Sequence, residues 1–500
     1  MNKRLVLALA AFITMTASAT FAVESPVTLT IDPADAGPAV SPEFIGLSFE
    51  AVQLLPNENG VRYFRPDNQP LLNLYRQLGV RSLRIGGNTS DRDARKLPGE
   101  ADWDSLFAFA KAADLKVIYN LRLLNGNAED AARTVKYIMD HYAPQVECFS
   151  IGQEPSAYPT EKVDTRANSE RMGAGAEKFS YDMYRQSWTQ FARVIRAAVP
   201  DVKFCGPAVH NNGEWARKFI ADFGRSNNVT MCVMHLYAGG AGNKVPTPEI
   251  GRDRMLSGEF LKTYQKLHDG FVPMAQSNGL SYRLEEVNNY FNGGATNVSN
   301  TFASALWGLE FMHWWAAHGA AGLNFHTGDR VAAGSSLQPS RYTAYHSSPN
   351  GYHVRPLGYA IKAFDLGSRG KIAPLKVSSN VQELYLAAFA VLSNRTLFVT
   401  LINKEHGSTA RDAAVTLQPG VPLRGARIIR LTAPEGDVAA TSGVTLGGAE
   451  VTEDGNWNGR WEQVSVPNKD ELTLTVPAAS AAVLELTADA QRQQPRTNVQ

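Results

Sequence analysis

Glutamates follow two short apolar segments of the chain, at the points where each segment turns polar. Glu154 lies just beyond the run 146–151 and is followed by a proline, and Glu286 stands with Glu285 after the run 282–284. Hydrolysis of a glycosidic bond needs one carboxyl group to protonate the leaving oxygen and a second to meet the oxocarbenium-like carbon. A single glutamate at a strand end is more often a surface or salt-bridged residue, so this chemistry requires a fold that brings the two together.

Between about residues 40 and 365, apolar strands alternate with amphipathic helices. The helix predicted at 71–79 places Leu71, Leu74, Tyr75 and Leu78 on one face and ends at a glycine. Short, nearly all-apolar strands are typical of a parallel sheet that is buried on both faces. Eight are predicted, at 44–49, 82–85, 115–119, 146–151, 202–205, 229–236, 282–284 and 322–325. Eight such units predict an α/β fold, a (β/α)8 TIM barrel whose active site lies at the carboxyl ends of its strands. Strands four and seven then face each other across the barrel mouth.

The remaining segments have a different composition. After about residue 370, strand-like segments are separated by Gly, Pro and Asp turns, which predicts a C-terminal antiparallel β-sandwich domain. The predicted division is a signal peptide at 1–22, an N-terminal strand at 23–39 that joins the β-sandwich, the catalytic barrel at 40–365, the β-sandwich at 366–488 and a disordered tail at 489–500. No internal repeat is evident.

The first residues have the order of a secretory signal peptide: a basic start, a short apolar run and a small-residue cleavage site after Ala19 or Ala22. We therefore expect a secreted or periplasmic protein. Removing Lys3 and Arg4 with this segment changes the formal charge from +1 to −1. Such a balanced charge predicts no nucleic acid partner and no membrane partner. No His or Cys spacing indicates a metal site, and no cofactor is expected.

The three cysteines, Cys148, Cys205 and Cys232, each lie inside an apolar strand-like run. A disulfide framework would place more cysteines in loops. We therefore predict that all three are buried free thiols.

Five segments resemble glycoside hydrolase family 79, the β-glucuronidase and heparanase group, within the clan of retaining hydrolases that carry catalytic glutamates on strands four and seven. They are Leu83-Arg84-Ile85-Gly86-Gly87-Asn88-Thr89-Ser90-Asp91, Ile151-Gly152-Gln153-Glu154-Pro155, Arg283-Leu284-Glu285-Glu286-Val287-Asn288, Gly322-Leu323-Asn324-Phe325-His326 and Arg355-Pro356-Leu357-Gly358-Tyr359. The two segments that contain Glu154 and Glu286 identify only the clan. The other three segments, together with the β-sandwich, narrow the resemblance to the family. The likeness covers nearly the whole mature chain.

The resemblance implies that Glu154 is the general acid/base and Glu286 the nucleophile, since the nucleophile of the family follows an arginine by three positions. Glu154 is expected to carry a raised pKa while Glu286 is charged, because like charges at this range resist joint ionisation. Neighbouring strand residues point to opposite faces, so Glu285 is expected to face the helix layer in an ion pair. One position departs from the clan, which has asparagine where this chain has Gln153. The clan residue contacts the sugar 2-hydroxyl, so the longer amide leaves the exact sugar open.

The resemblance also implies substrate-binding residues at the other strand ends. Asn88 is a site candidate because Gly87 and the glycine before it permit close backbone approach. The others, each with a structural role as its alternative, are Glu50 for a sugar hydroxyl, Tyr237 for the nucleophile, His326, and the donors Tyr290, Tyr359 and Gly294 for a substrate carboxylate.

The expected function is retaining hydrolysis of a β-glucuronide, with glucuronate or 4-O-methylglucuronate at the end of a polysaccharide or glycoconjugate. Its partner is a carbohydrate substrate. Two alternatives remain: a neutral-sugar β-glycosidase of the same clan, and a catalytically silent carbohydrate-binding protein, which the change at Gln153 supports and the presence of both glutamates opposes.

Overall fold

The structure is a computed structural model that describes residues 24–92, 96–158, 179–329, 339–379 and 384–489. The predicted signal peptide and residues 490–500 of the predicted tail lie outside the described residues.

A closed parallel barrel forms the larger part of the molecule, and the N-terminal strand β1 (Glu24–Ile31) lies outside it. The predicted (β/α)8 barrel is confirmed. Its strands are β2 (Ile45–Glu50), β3 (Ser82–Gly86), β4 (Lys116–Leu121), β5 (Val146–Ile151), β6 (Phe204–His210), β7 (Val229–Tyr237), β8 (Ser281–Asn288) and β9 (Gly322–His326).

Helices surround the barrel strands. They are α1 (Gln69–Leu78), α2 (Glu100–Ala113), α3 (Ala128–Tyr142), α4 (Tyr181–Ala198), α5 (Gly213–Phe223), α6 (Pro248–Leu256), α7 (Gly258–Ser277), α8 (Phe302–Ala317) and α9 (Pro356–Gly367). Helix α1 shows how the sequence encodes them. The Asn68 side chain accepts the Leu71 N–H at its start, the predicted apolar face is buried, and Gly79 ends the helix in the left-handed conformation.

An antiparallel hairpin follows β9 and precedes α9; its strands are β10 (Tyr345–Ser348) and β11 (Gly351–Val354). The C-terminal strands are β12 (Lys371–Ala373), β13 (Leu375–Ser379), β14 (Leu386–Ser393), β15 (Thr396–Asn403), β16 (Asp412–Gln418), β17 (Leu423–Thr432), β18 (Thr445–Leu446), β19 (Glu462–Val464), β20 (Leu472–Val476) and β21 (Ser480–Ala488).

The C-terminal strands form two sheets with an apolar core between them, so the predicted β-sandwich is confirmed. One sheet has the order β13-β1-β16-β20, and the other runs β12-β14-β15-β21-β17-β18 with β19 beside β17. Strand β1 pairs antiparallel with β13 and parallel with β16. The segment before the barrel is therefore built into the C-terminal domain.

The barrel strands extend further at their carboxyl ends than the apolar runs predicted. Strand β8 continues from Leu284 through Asn288, and β6 continues to His210. The reason is that polar residues at these ends still pair with neighbouring strands while their side chains line the barrel mouth. The three cysteines are buried free thiols, as predicted. Among the described residues, none of the helices has the length and apolar character needed to cross a membrane.

Candidate active site

Glu286 lies on β8 with its side chain 8 % exposed, and its carboxylate is contacted by residues on other barrel strands or directly after them. The Tyr237 hydroxyl donates to Oε1 at 2.9 Å. Arg84 Nη1 donates to Oε2 at 2.7 Å, and the Gln153 amide donates to the same oxygen at 3.0 Å. Charge-assisted hydrogen bonds of this kind favour the ionised carboxylate.

Glu285 also enters the barrel interior, which corrects the prediction that it faces the helix layer. On β7, Met234 pairs with Leu284 and His235 pairs with Glu286, so Glu285 is the extra residue of a β-bulge. The bulge breaks the alternation of faces on which the prediction relied. The Glu285 carboxylate lies 3.5 Å from His235 Nε2 and 4.0 Å from an Arg84 nitrogen. The expected ion pair therefore exists, but inside the barrel.

Glu154 stands in a tight turn directly after β5. Its own backbone is left-handed, with φ +48°, and Gly152 before it has φ +92°. The Glu154 N–H donates to the carbonyl of Ala208 at 2.9 Å, which ties the turn to the neighbouring strand β6. A non-glycine residue in this conformation is strained, and such strain is concentrated at functional sites.

Two basic side chains hold the Glu154 carboxylate. His235 Nδ1 lies 3.1 Å from Oε1, and Arg92 donates to Oε2 at 2.9 Å. Arg92 also donates to the Asn88 side chain. One carboxylate oxygen of Glu154, one of Glu286 and a nitrogen of His235 all lie within 4.8 Å of one another. This triad has the spacing of a metal site, but Arg84 and Arg92 already balance its negative charge.

The two carboxyl groups differ in their electrostatic surroundings. Burial alone would raise the pKa of Glu286, but the positive charges of His326, His235 and Arg84 hold it well below the ordinary value. Burial also acts to raise the pKa of Glu154. Its hydrogen bond to His235 and the charges of His235 and Arg92 outweigh burial and the repulsion from Glu286, so this pKa is lowered as well.

The prediction of a raised pKa for Glu154 is wrong, since its surroundings lower this pKa. Repulsion from Glu286 does act to raise this pKa, but the hydrogen bond to His235 and the charge of His235 have the opposite effect. Burial lowers the pKa of His235, but Glu286 and the hydrogen bonds to Glu154 and Glu285 raise it to about 9. The proton that a catalytic acid needs is therefore held on His235, in contact with Glu154.

Asp91 fixes the turn that carries Glu154. Its buried carboxylate accepts the Gln153 N–H at 3.0 Å, the Leu124 N–H at 2.6 Å and the Tyr158 hydroxyl. Burial raises the pKa of Asp91 to about 6 in spite of these donors. Its role is structural, because all these partners belong to the loops around the site.

The ends of the first, second and eighth barrel strands form one side of the site. The Glu50 carboxylate accepts the backbone N–H groups of Asn88, at 3.2 Å, and Thr89, at 2.8 Å, and lies 3.7 Å from His326 Nε2. A Cβ at Gly87, where φ is +74°, would collide with the Glu50 carboxyl group. Only glycine at position 87 therefore permits this arrangement. His326 is additionally bonded to the Ser48 hydroxyl at 3.1 Å.

Tyr342 lies near Glu286 although the sequence analysis did not single it out. Its ring centroid is 6.1 Å from that of Tyr237 and 6.0 Å from that of His326. Its backbone N–H is 3.1 Å from the position of a Cβ on Gly294, so Gly294 also borders this region. The charge of Glu286 and burial both raise the pKa of the Tyr342 hydroxyl, with burial the larger cause.

Two tyrosines that we expected in the site lie elsewhere. The Tyr290 hydroxyl donates to the carbonyl of Gly251 at 2.9 Å, under the helix layer. The Tyr359 hydroxyl accepts the N–H of Val451 at 3.1 Å, at the junction with the β-sandwich. The Asn289 side chain accepts the Tyr290 N–H at 2.8 Å where the chain leaves β8. Neither tyrosine contacts the two catalytic candidates.

Three further site residues, Arg84, Arg92 and His235, also received no role in the sequence analysis. Arg84 did leave a signal, since it is a fully buried charge within an otherwise apolar strand. His235 lies two residues before Tyr237 and so points to the same face of β7. Arg92 left no such signal, because arginine is common in polar loops.

The folded-state pKa of His235 predicts a dependence of stability on pH. Because this pKa, about 9, exceeds the ordinary value of 6.5, the protonated histidine stabilises the fold fully below about pH 6.5, and this contribution is lost as pH rises to about 9. Relative to a His235→Gln variant, the native chain is expected to be more stable by on the order of 3 kcal/mol at pH 6. This difference should shrink through pH 7.5 and pH 9.

Urea unfolding at the three pH values measures the difference. His141→Gln serves as the control, because His141 is exposed on α3 and its replacement should have little effect at any pH. A difference for His235→Gln that stays constant from pH 6 to pH 9 would contradict the assignment of a proton to His235.

Comparison with known proteins gives a family for the C-terminal domain. Residues 388–483 match the sequence model of the glycosyl hydrolase family 79 C-terminal beta domain. A β-glucuronidase of Aspergillus niger (strain ATCC MYA-4892 / CBS 513.88 / FGSC A1513) is 23 % identical over 189 residues, which cover 36 % of this chain and 34 % of that protein. The match thus spans about a third of the length of this curated relative. The predicted resemblance to family 79 is confirmed.

Solved structures share the whole fold at low sequence identity. A 4-O-α-L-rhamnosyl-β-D-glucuronidase from Fusarium oxysporum 12S superposes with a TM-score of 0.71 and 16 % identity, over 91 % of this chain and 99 % of that one. A family 51 arabinofuranosidase from Xanthomonas axonopodis pv. citri superposes with a TM-score of 0.65 and 15 % identity, over 93 % and 100 % of the two chains. At these identities the superpositions establish the fold. The relatives found by sequence and by structure are glycoside hydrolases, in agreement with the predicted enzyme class.

Proposed function

We propose that this chain, whose C-terminal domain matches family 79, is a secreted or periplasmic retaining β-glycoside hydrolase that removes glucuronate or 4-O-methylglucuronate from polysaccharide or glycoconjugate ends. Glu286 is the nucleophile and Glu154 the general acid/base. The observation that carries the proposal is the pairing of these two carboxylates in unlike environments, with oxygens within 4.8 Å of each other. Retaining enzymes place the two carboxyl groups about 5–5.5 Å apart, and inverting enzymes about 6.5–9.5 Å apart.

In the first step, a Glu286 oxygen attacks the anomeric carbon while the bond from this carbon to the leaving oxygen breaks. Glu154 gives that oxygen a proton, which it receives from His235, and the products are the leaving alcohol and a glycosyl ester on Glu286. In the second step Glu154 takes a proton from water, whose oxygen displaces Glu286 from the anomeric carbon. The sugar leaves with its original β configuration.

The contacts around Glu286 support its role in the first step. Arg84 and Tyr237 each hold one of its oxygens and thus orient the carboxylate for attack. The lowered pKa keeps Glu286 ionised at neutral pH. A nucleophile that is charged and already oriented needs little reorganisation to reach the transition state.

The contact between Glu154 and His235 supports proton delivery. The pair holds a proton at neutral pH, at a separation of 3.1 Å. In the glycosyl-enzyme, Glu286 is an uncharged ester and no longer raises the pKa of Glu154 by repulsion. The lower pKa keeps Glu154 ionised in the glycosyl-enzyme, so that it can accept the proton of the attacking water in the second step.

Glucuronate as the sugar is supported by the matching family and by the donors that remain near the nucleophile. These are the Tyr342 hydroxyl and the left-handed Gly293-Gly294 turn, with φ +75° and φ +87°. A buried carboxylate without hydrogen-bond donors would be costly. The absence of Tyr290 and Tyr359 from the described site favours a second candidate, a β-glycosidase for a neutral sugar.

A comparison of aryl β-glucuronide with the matching aryl β-glucoside tests the substrate. Two or three hydrogen bonds to the carboxylate should raise kcat/KM for the glucuronide by on the order of a hundredfold or more. Tyr342→Phe should reduce this preference at least about tenfold because it removes one donor. Tyr290→Phe, the matched control, should leave the preference unchanged because that hydroxyl bonds Gly251. Equal values for the two substrates would reject the glucuronidase and leave the neutral-sugar enzyme.

Gln153, the position that departs from the clan, is hydrogen-bonded to the proposed nucleophile Glu286. Its amide nitrogen donates to Glu286, and its amide oxygen accepts from Arg84. Both polar ends of this buried side chain are thus occupied. We infer that Gln153 positions Glu286, whereas the resemblance implied a contact to the sugar 2-hydroxyl.

Gln153→Asn should therefore lower kcat by about tenfold, because the shorter amide withdraws from Glu286 while KM changes little. The loss should be the same for a substrate with a 2-hydroxyl group and for its 2-deoxy analogue. A loss confined to the 2-hydroxyl substrate would mean that Gln153 contacts the sugar after all.

A further inference from the structure

A cavity with a volume of about 320 Å³ lies between the barrel and the β-sandwich, apart from the candidate active site. Its walls come from the hairpin β10–β11, the start of α9 and the β-sandwich loop at 441–444. None of the residues that line it contacts Glu154 or Glu286 in the part of the chain that the structure describes. The volume is at the lower end of the range of about 300–1,000 Å³ for small-molecule sites. It is suited to a ligand of the size of one sugar unit.

Two side chains on the wall offer hydrogen-bond donors. Arg355 uses Nη1 to donate to the carbonyls of Ser340, at 2.8 Å, and Arg341, at 3.1 Å. Arg355 lines the cavity, and no described carboxylate lies within ion-pair distance of its guanidinium. The Tyr359 hydroxyl accepts the Val451 N–H and therefore keeps its own proton for another acceptor.

Three other side chains on the wall offer acceptors. The Asn300 Oδ1 atom is buried and has no hydrogen-bond partner among the described residues. His346 Nδ1 is hydrogen-bonded to the carbonyl oxygen of His353 at 3.3 Å. In the neutral ring, Nε2 is then an acceptor. The Glu450 carboxylate supplies further acceptor oxygens. A buried acceptor without a partner is destabilising, and a ligand hydroxyl that donates to the Asn300 oxygen would remove this cost.

The arrangement matches a polyol better than an anion. An anion would use the Arg355 guanidinium but would be repelled by Glu450 and would leave the Asn300 oxygen unpaired. Sugar hydroxyl groups both donate and accept, so a single ring satisfies donors and acceptors on the same wall. The lining also contains Val354, Pro356 and Val444, which offer apolar contact to the face of a ring.

We propose that this cavity is an accessory carbohydrate-binding site that holds one neutral sugar unit between Asn300, Arg355 and Tyr359. It is separate from the catalytic pair and goes beyond the proposed function. A short segment of chain connects the cavity to the barrel mouth. Arg355 donates to the carbonyls of residues 340 and 341, which directly precede Tyr342. A sugar held there is placed to anchor a carbohydrate chain beside the barrel.

Calorimetric titration with free D-glucose, D-xylose and D-galactose tests the proposal on the full chain. We expect binding of at least one sugar with a Kd of about 1 mM. Ser442→Trp places a bulky ring in the cavity from an exposed loop position, and Asn300→Leu removes the unpaired oxygen. Each should weaken binding at least tenfold. Ser442→Thr, the size-matched control, should leave it within twofold.

Glu286→Gln separates this site from the active site, and it should leave the titration of the cavity unchanged. The proposal is overturned if none of the three sugars binds below a Kd of about 10 mM. It is also overturned if Glu286→Gln abolishes the binding while Ser442→Trp and Asn300→Leu do not affect it. The proposed hydrolase activity can fail without affecting either outcome, since no turnover is measured.

Discussion

Replacing Glu286 with glycine is expected to lower kcat for an aryl β-glycoside by on the order of 10⁴-fold or more, with the fold intact. The reason is that no other described group can reach the anomeric carbon in its place. Glu286 is held by Arg84 and Tyr237 at the barrel mouth, whereas Glu285 is fully buried between His235 and Arg84. Steady-state kinetics on an aryl β-glucuronide measure the loss.

Glu285→Gln is the control for this prediction because it changes the neighbouring carboxylate. It should reduce kcat by less than about a hundredfold, since Glu285 acts only through Arg84 and His235. Azide added to Glu286→Gly should give no β-glycosyl azide, because the vacated space lies on the side opposite the leaving group. If Glu285→Gln lost as much activity as Glu286→Gly, the assignment of the nucleophile would be wrong.

Replacing Glu154 with alanine should give a loss that depends on the leaving group. For a sugar or unactivated aryl leaving group, kcat/KM is expected to fall by about 10²–10⁴-fold, the usual contribution of general acid catalysis. For a dinitrophenyl leaving group, which departs without a proton, kcat/KM should change little. The turnover of this substrate should instead be limited by the second step, because the base that activates water is missing.

Azide distinguishes this variant from Glu286→Gly. It enters the space that the Glu154 side chain leaves, attacks the glycosyl-enzyme from the β side and needs no base. The turnover of the dinitrophenyl substrate should rise with azide concentration, and the product should be a β-glycosyl azide detectable by NMR. An equal loss for all leaving groups, with no azide product, would be inconsistent with Glu154 as the acid/base.

The barrel was predictable from the sequence because its strands are buried on both faces. Apolar runs such as 146–151 carry this signal directly, and the polar residues after them mark the barrel mouth. The side of the mouth formed by Glu50 and Asn88 followed from the same reasoning, and the structure brings these residues together. The apolar runs did not predict the full length of β6 and β8, because the strand ends that line a site are polar.

The orientation of Glu285 was not predictable from residue types. The alternation of faces along a strand holds only for regular pairing, and the bulge at Glu285 arises from the registers of β7 and β8. The same limit applies to Tyr290 and Tyr359. Each is close in sequence to a site segment, but the direction of its side chain depends on Gly251 and Val451, which lie far away along the chain.

The pKa of Glu154 depends on His235, a residue that received no role in the sequence analysis. Two nearby carboxylates predict one raised pKa, and His235 reverses this by holding a proton between Glu154 and Glu285. His235 is recognisable only after the barrel is known, since its spacing to Tyr237 has meaning on a strand. The electrostatics of a site thus require all the charges that the fold assembles.

The most direct test of the central claim is to trap the glycosyl-enzyme and locate the modified residue. A 2-deoxy-2-fluoro-β-glucuronosyl fluoride reacts with a retaining β-glucuronidase to form a long-lived ester on the nucleophile. Mass spectrometry of the intact protein should show the addition of one fluorosugar, and fragmentation of the peptide that contains residues 284–287 should place it on Glu286. Attachment to Glu285, or no adduct while the fluoride is hydrolysed, would contradict the proposed mechanism.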